Sequence, residues 1–268
     1  MLCSKLSVVC ASVLALSLGF IAGCSVTPVD KTAAMSPNTL YSEAQEEMGL
    51  GQWEKAIPLL EKLEARAAGT PLAQQAQLDK AYAHFKSAEP AQAIATLERF
   101  VRLHPASPAL DYALYLKGII NFNDDLGMFS AVTRQDMSER DQKAAKESFE
   151  AFKELVARFP DSRYAPDARE RMNYIVGALA MYEVHVARYY YQRGAYLAAI
   201  NRAQLAVADY RDVPAIEEAL FLIYKSYDAL GTVQLRDDAK RVLEKNYPQS
   251  EYLLKGGKPN TDPWWKLW

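Results

Sequence analysis

The sequence predicts an all-α fold, a superhelical solenoid of about five helix pairs, and three observations carry that prediction. From about Asn38 to Tyr247 the chain is rich in Ala, Leu, Glu, Lys, Gln and Arg, with apolar residues at helical spacing and no alternating strand pattern. A glycine, an aromatic two residues later and then Ala-Ile recur, in Gly51-Gln52-Trp53-Glu54-Lys55-Ala56-Ile57 and in Gly194-Ala195-Tyr196-Leu197-Ala198-Ala199-Ile200. Prolines recur just past the ends of the second helices, in Leu103-His104-Pro105, Arg158-Phe159-Pro160 and Asn246-Tyr247-Pro248.

Each pair follows from the same packing logic. Glycine permits the tight turn, alanine lets two helices approach, and the aromatic fills the gap to the next pair. Ala93-Ile94 repeats the small-plus-branched couple and Ser148-Phe149 is a weaker copy. Pro71, Pro108, Pro166 and Pro214 mark the starts of first helices, where a missing amide hydrogen is tolerated. The pattern resembles the tetratricopeptide (TPR) repeat: Pro71 to Pro108 spans 37 residues, near the usual ~34. Five repeats result, at about 38–68, 71–105, 108–160, 164–212 and 214–248, the folded region extending over 38–252. Two departures stand out. Asn121 to Glu139 is an insertion between the helices of the third repeat, and Asp167 to Arg193 has no proline, giving one helix of roughly 40 Å at 1.5 Å per residue.

The chain of 268 residues is half hydrophobic and 24% charged, so it holds enough apolar material for a large core. With 31 basic and 33 acidic residues the net charge is −2, which argues against a nucleic-acid-binding face.

Residues 1–23 read as a lipoprotein signal peptide. Lys5 gives the positive start, Leu6 to Ala22 is apolar apart from scattered serines and Gly19, and Ile21-Ala22-Gly23-Cys24 closes it like a lipobox. At 17 residues the apolar run sits at the lower limit of the roughly 17–25 that span a bilayer, so an uncleaved anchor is the weaker reading. Lipidation at Cys24, by diacylglycerol on the thiol and an acyl chain such as palmitate on the new amino terminus, would supply more than the two chains that stable anchoring needs. Cys3 and Cys10 lie in the segment expected to be removed, which leaves no thiol for a disulfide. Ser25 after the cysteine, in place of an acidic residue, resembles the pattern of lipoproteins sorted to the outer membrane, which implies that destination. Residues 24–37, with two prolines, read as a lipidated flexible tether, and residues 253–268 as a flexible Trp-rich tail carrying Trp264, Trp265 and Trp268.

No phosphate loop, HExxH, GxSxG or paired CxxC occurs, and His84, His104 and His185 are far apart, so neither a cofactor nor a metal nor catalysis is expected. Glu147-Ser148 resembles the start of the acid motif of lytic transglycosylases, without the glycine-rich motif that follows it there. A solvated helix face accounts for it better.

Lipobox, tether, five repeats, the insertion ending Glu139-Arg140-Asp141, and the stretch Val186-Ala187-Arg188-Tyr189-Tyr190-Tyr191-Gln192-Arg193-Gly194-Ala195-Tyr196, with Asn201-Arg202 beyond it, together resemble the BamD (ComL) family. The resemblance covers nearly all of residues 20–250. It implies a non-enzymatic lipoprotein scaffold of the β-barrel assembly machinery (the BAM complex), held by lipid on the outer membrane and facing the periplasm. It further implies that the C-terminal repeats bind a POTRA domain of the BamA insertase, alongside other assembly-machine lipoproteins, and that the N-terminal repeats receive unfolded outer-membrane clients. Tyr41, Gln45, Tyr82 and Tyr115, on first helices, are the candidate client-binding residues, with ordinary inter-repeat packing as the competing account of each tyrosine. Arg188 and Arg202 are the candidate insertase contacts, with internal ion pairs as theirs. A periplasmic TPR scaffold for cell-wall or division proteins is the alternative function.

Overall fold

The computed structural model describes residues 31–122 and 142–255. Cys24, the leader, residues 123–139 of the insertion, and Trp264, Trp265 and Trp268 lie outside the described residues. Among the described residues there are eleven α-helices and no strand. They are α1 (Pro37–Gly49), α2 (Trp53–Arg66), α3 (Pro71–Lys86), α4 (Pro90–Leu103), α5 (Leu110–Phe122), α6 (Gln142–Arg158), α7 (Ala165–Gln192), α8 (Tyr196–Asp209), α9 (Ala215–Ala229), α10 (Val233–Asn246) and the short α11 (Glu251–Lys255). The first ten form five antiparallel pairs in chain order. The fold is the expected all-α solenoid.

Local sequence explains the starts and stops. Ser36 and Thr70 accept hydrogen bonds from the amides of Thr39 and Ala73, capping α1 and α3, each followed by a proline at the first helical position. Pro90 also takes the first position of α4, there without a side-chain cap, whereas Pro108 stands two residues ahead of α5 and Pro214 at the cap of α9. The turns within pairs need a left-handed residue: Gly51, Gly194 and Gly231 have φ of 72°, 74° and 70°. Ala88 fills that place in the second pair at φ 59°, where its Cβ is strained.

Packing is serial. One apolar core joins α1, α2 and α3, the next α3, α4 and α5, a third α5, α6 and α7, and the last α7 to α11. Most first helices therefore belong to two cores. Within pairs the contact positions are small: Ala56, Ala93 and Ala199 are fully buried. In the third pair the Ser148 hydroxyl donates to the Gly118 carbonyl at 2.8 Å, and the Phe152 ring occupies the space a Gly118 side chain would need. Helix α7, with 28 residues, runs the length of two ordinary helices, yet no described helix is long and apolar enough to cross a membrane.

Three boundaries differ from the sequence reading. The tether is not free up to residue 37: Arg66 Nη1 donates to the carbonyls of Thr32 and Met35 at 2.8 and 3.0 Å, and Lys62 to the Thr32 hydroxyl at 2.7 Å, docking residues 31–35 on α2. Asn121 and Phe122 belong to α5 and are buried, because the Phe122 ring packs beside Phe152 and under the Arg171 guanidinium, 4.7 Å from its centroid. Residues 253–255 belong to α11, held by the burial of Tyr252 against Phe221.

Two substitutions test this account. Ala88→Gly removes the left-handed strain of about 1–2 kcal/mol and adds back part of it as unfolded-chain entropy, so urea denaturation is expected to show a net gain of about 0.5–1 kcal/mol. Gly118→Ala places a methyl group inside the Phe152 contact and is expected to cost about 1–3 kcal/mol by the same measurement.

Candidate functional site

A row of aromatic side chains runs from repeat to repeat along the first helices and the residues beside them. Trp53 meets Tyr82 edge-on at 5.7 Å, Tyr112 lies 5.7 Å from Tyr164, and Tyr115 stacks on Tyr164 at 4.6 Å with planes 19° apart. All of these rings are half-buried, which leaves each an edge or face toward solvent.

At the N-terminal end of the row stands Asp79 of α3. Gln45 Nε2 donates to its Oδ2 at 2.8 Å and Gln75 Nε2 to its Oδ1 at 2.9 Å, while the Tyr41 phenol faces it from α1. Burial pushes the Asp79 carboxyl above its ordinary value, and these donors pull back only part of that shift. Tyr41 is pushed up to about 12, first by burial and then by the Asp79 charge. Tyr112 is raised to about 12 by burial, with Tyr164, Asp79 and Tyr82 adding to it. Both phenols stay neutral donors at any physiological pH.

Tyr41 and Gln45 thus converge on one carboxylate. Tyr82 lies further along against Trp53. Tyr115 belongs to a different cluster: its hydroxyl donates to Asp167 Oδ2 at 2.8 Å, and Arg171 Nε donates to the same oxygen at 2.7 Å. Sequence reasoning missed Asp79, Tyr112 and Tyr164. Asp79 lies 34 residues after Gln45, one repeat length, and that spacing was the available signal.

The C-terminal end holds the two arginines. Arg188 binds Glu218 Oε1 through Nε at 2.7 Å and Nη2 at 2.6 Å, and the Tyr252 hydroxyl donates to Glu218 Oε2 at 2.9 Å. Burial and the Glu218 charge raise the Tyr252 phenol well above its usual range. Arg202 Nη1 pairs with Glu183 Oε2 at 3.1 Å. Both acids are nearly buried, at 12% and 11% exposed, while the Arg188 and Arg202 side chains are 39% and 40% exposed. Each arginine is therefore an internal ion pair that still presents cationic surface.

Two histidines read as isolated acquire partners in the fold: His84 Nδ1 contacts Glu89 at 2.6 Å and His104 Nε2 contacts Gln77 at 3.2 Å. Glu147 is exposed, 3.8 Å from Lys143, on the rim of an open cleft of about 870 Å³ between α4 and α6 that is floored by Leu114 and Lys117. Glu98, Glu150 and Glu154 also line this cleft, and among the described residues no serine, cysteine or histidine does.

Comparison with known proteins adds kinship. A family described as "Outer membrane lipoprotein" (YfiO) matches residues 33–243. The outer membrane protein assembly factor BamD of Neisseria meningitidis serogroup A is 45% identical over 95% of this chain and 98% of its own. The protein of the same name from Neisseria gonorrhoeae is 44% identical over 95% and 96%, and that from Vibrio cholerae 36% identical over 88% and 97%. Among solved structures, a chain of nearly identical TPR-like repeats from Podosopora anserina superposes over 80% of this chain and 99% of its own, with a TM-score of 0.34 and 16% identity.

The raised carboxyl of Asp79 predicts a pH-dependent stability effect. Its charged form is disfavoured in the fold, so the cost is absent below its ordinary value of 3.8 and fully present above the folded-state value. Asp79→Asn is expected to raise the urea midpoint at pH 7, and the gain to vanish as the pH falls toward 3.8. A gain of the same size at both ends of that range would show that ionisation of Asp79 is not its source.

Proposed function

Because the chain belongs to the BamD family of outer-membrane lipoproteins, we propose that it is a scaffold subunit of the β-barrel assembly machinery, acting by binding and not by catalysis. The observation that carries this reading is the aromatic row along the first helices. An extended chain has side chains alternating to two faces, and the aromatic residues of a barrel strand can enter successive apolar gaps along such a row. A solenoid offers a long, shallow surface for that purpose. The N-terminal half of the row, from Tyr41 and Gln45 to Tyr82 and Tyr115, receives unfolded outer-membrane clients.

The C-terminal repeats serve the insertase. Arg202 offers a guanidinium that is already oriented by Glu183 and still open to solvent, suited to a carboxylate on a POTRA domain of a BamA-type partner. Arg188 is the second candidate contact, although its two bonds to Glu218 commit more of its donors internally. Lipid on Cys24 holds the assembly at the periplasmic side of the outer membrane.

Isolation of the lipidated chain from outer membranes in mild detergent is expected to recover a POTRA-containing barrel protein. Cys24→Ala should shift the chain out of the membrane fraction. Arg202→Ala should lower the recovered barrel protein at least about fivefold with an unchanged circular dichroism spectrum, the loss of one charge-assisted contact. Recovery of cell-wall or division proteins alone would replace this function with the scaffold alternative and leave the fold untouched.

A further inference from the structure

Several partly buried acids of the solenoid are neutralised by cations, whereas Asp79, like Asp111 with the Ser162 hydroxyl and the Tyr112 amide, receives only neutral donors. Glu64 is held by Lys80 at 2.7 Å and Arg99 at 2.6 Å, Asp167 by Arg171, Glu183 by Arg202 and Glu218 by Arg188. Asp79 receives only neutral donors, Gln45 and Gln75, with the Tyr41 phenol beside them. No ammonium or guanidinium pairs with it among the described residues. Its chain neighbour Lys80 turns to Glu64, and Arg163, further along the row, lies over the Tyr164 ring at 4.7 Å.

The surroundings favour one kind of ligand. The Asp79 charge reaches both Tyr41 and Tyr112, and Tyr82 and Trp53 continue the aromatic wall. A carboxylate walled by rings suits a long cationic side chain, because the methylene stem lies on apolar surface, the head approaches ring faces, and the charge ends on the acid. A neutral aromatic client residue would leave that acid without a counter-charge in a half-buried place, which disfavours it.

Building on the reading that this face receives unfolded clients, we propose that the Asp79 pocket binds a lysine or arginine side chain of the extended client segment and so sets the register in which neighbouring aromatics meet Tyr82 and Trp53. The carboxylate is then a specificity-determining group and the glutamines hold its two oxygens in place.

The test uses the full purified chain and a fluorescein-labelled twelve-residue peptide of alternating polar and aromatic residues with one internal lysine, paired with the same peptide carrying glutamine there. Fluorescence anisotropy is expected to show about tenfold tighter binding of the lysine peptide, a preference that Asp79→Asn abolishes. Zero-length carbodiimide coupling should join the peptide lysine to Asp79 by an amide bond with loss of water, located by mass spectrometry. This coupling reads the wild-type chain and does not depend on the variant's stability. Equal binding of the two peptides by the wild type, or a lysine preference that survives Asp79→Asn, would overturn the proposal and leave the client face standing. Failure of both peptides to bind would overturn this proposal and the client reading together.

Discussion

The structure rests on how closely the two helices of a pair approach. Where Ala56, Ala93 and Ala199 are buried without remainder, the second helix lies low on the first, and the third pair shows the limiting case, with the Ser148 hydroxyl on the Gly118 backbone and Phe152 against the missing side chain. Helices held that near cannot bury a wide apolar face between themselves alone. The remaining apolar surface of each first helix must be covered by the next pair, and four serial cores follow. The array stops where this pattern fails. In α10 only Leu243 is buried, and Val233, Leu235 and Val242 remain 44–56% exposed.

The aromatic row is a consequence of the same arrangement. First helices serve two cores, so residues between their two apolar stripes are neither fully buried nor free. Large amphipathic rings satisfy that position, with an apolar body inward and a hydroxyl outward. Tyr115 shows how narrow the difference is between packing and recognition: the ring is stacked on Tyr164 and the hydroxyl is bound to Asp167, so the side chain joins repeats three and four while its half-buried ring still lines the row. Tyr41 is engaged with Asp79 in the same way, and Tyr112 feels the Asp79 charge.

Electrostatics follow the same serial geometry. Interior acids are neutralised by cations on the adjoining helix or repeat, as Glu183 by Arg202 and Glu218 by Arg188, because a buried carboxylate without a partner is costly. The Arg188–Glu218–Tyr252 cluster ties α7, α9 and α11 together and closes the C-terminal end. Asp79 and Asp111 depart from that pattern with neutral donors alone, and departures of that kind are where binding chemistry is to be sought.

The sequence by itself determined the helix pairs, their number, the long α7 and the turns. These depend on neighbours within a few residues: a proline at a first turn, a glycine at a left-handed turn, an alanine at a contact. It also singled out Gln45, Tyr41, Arg188 and Arg202 as residues to watch. Only the tertiary structure decided what those side chains meet. Gln45 finds Asp79 34 residues away, Arg188 finds Glu218 30 away, and Arg202 finds Glu183 across a helix pair 19 residues back. Such partners are chosen by the rotation and spacing of packed helices, which no local pattern encodes. The docking of residues 31–35 on α2 and the burial of Phe122 and Tyr252 escaped for the same reason, since each is held by contacts made across the fold and not by the composition of its own segment.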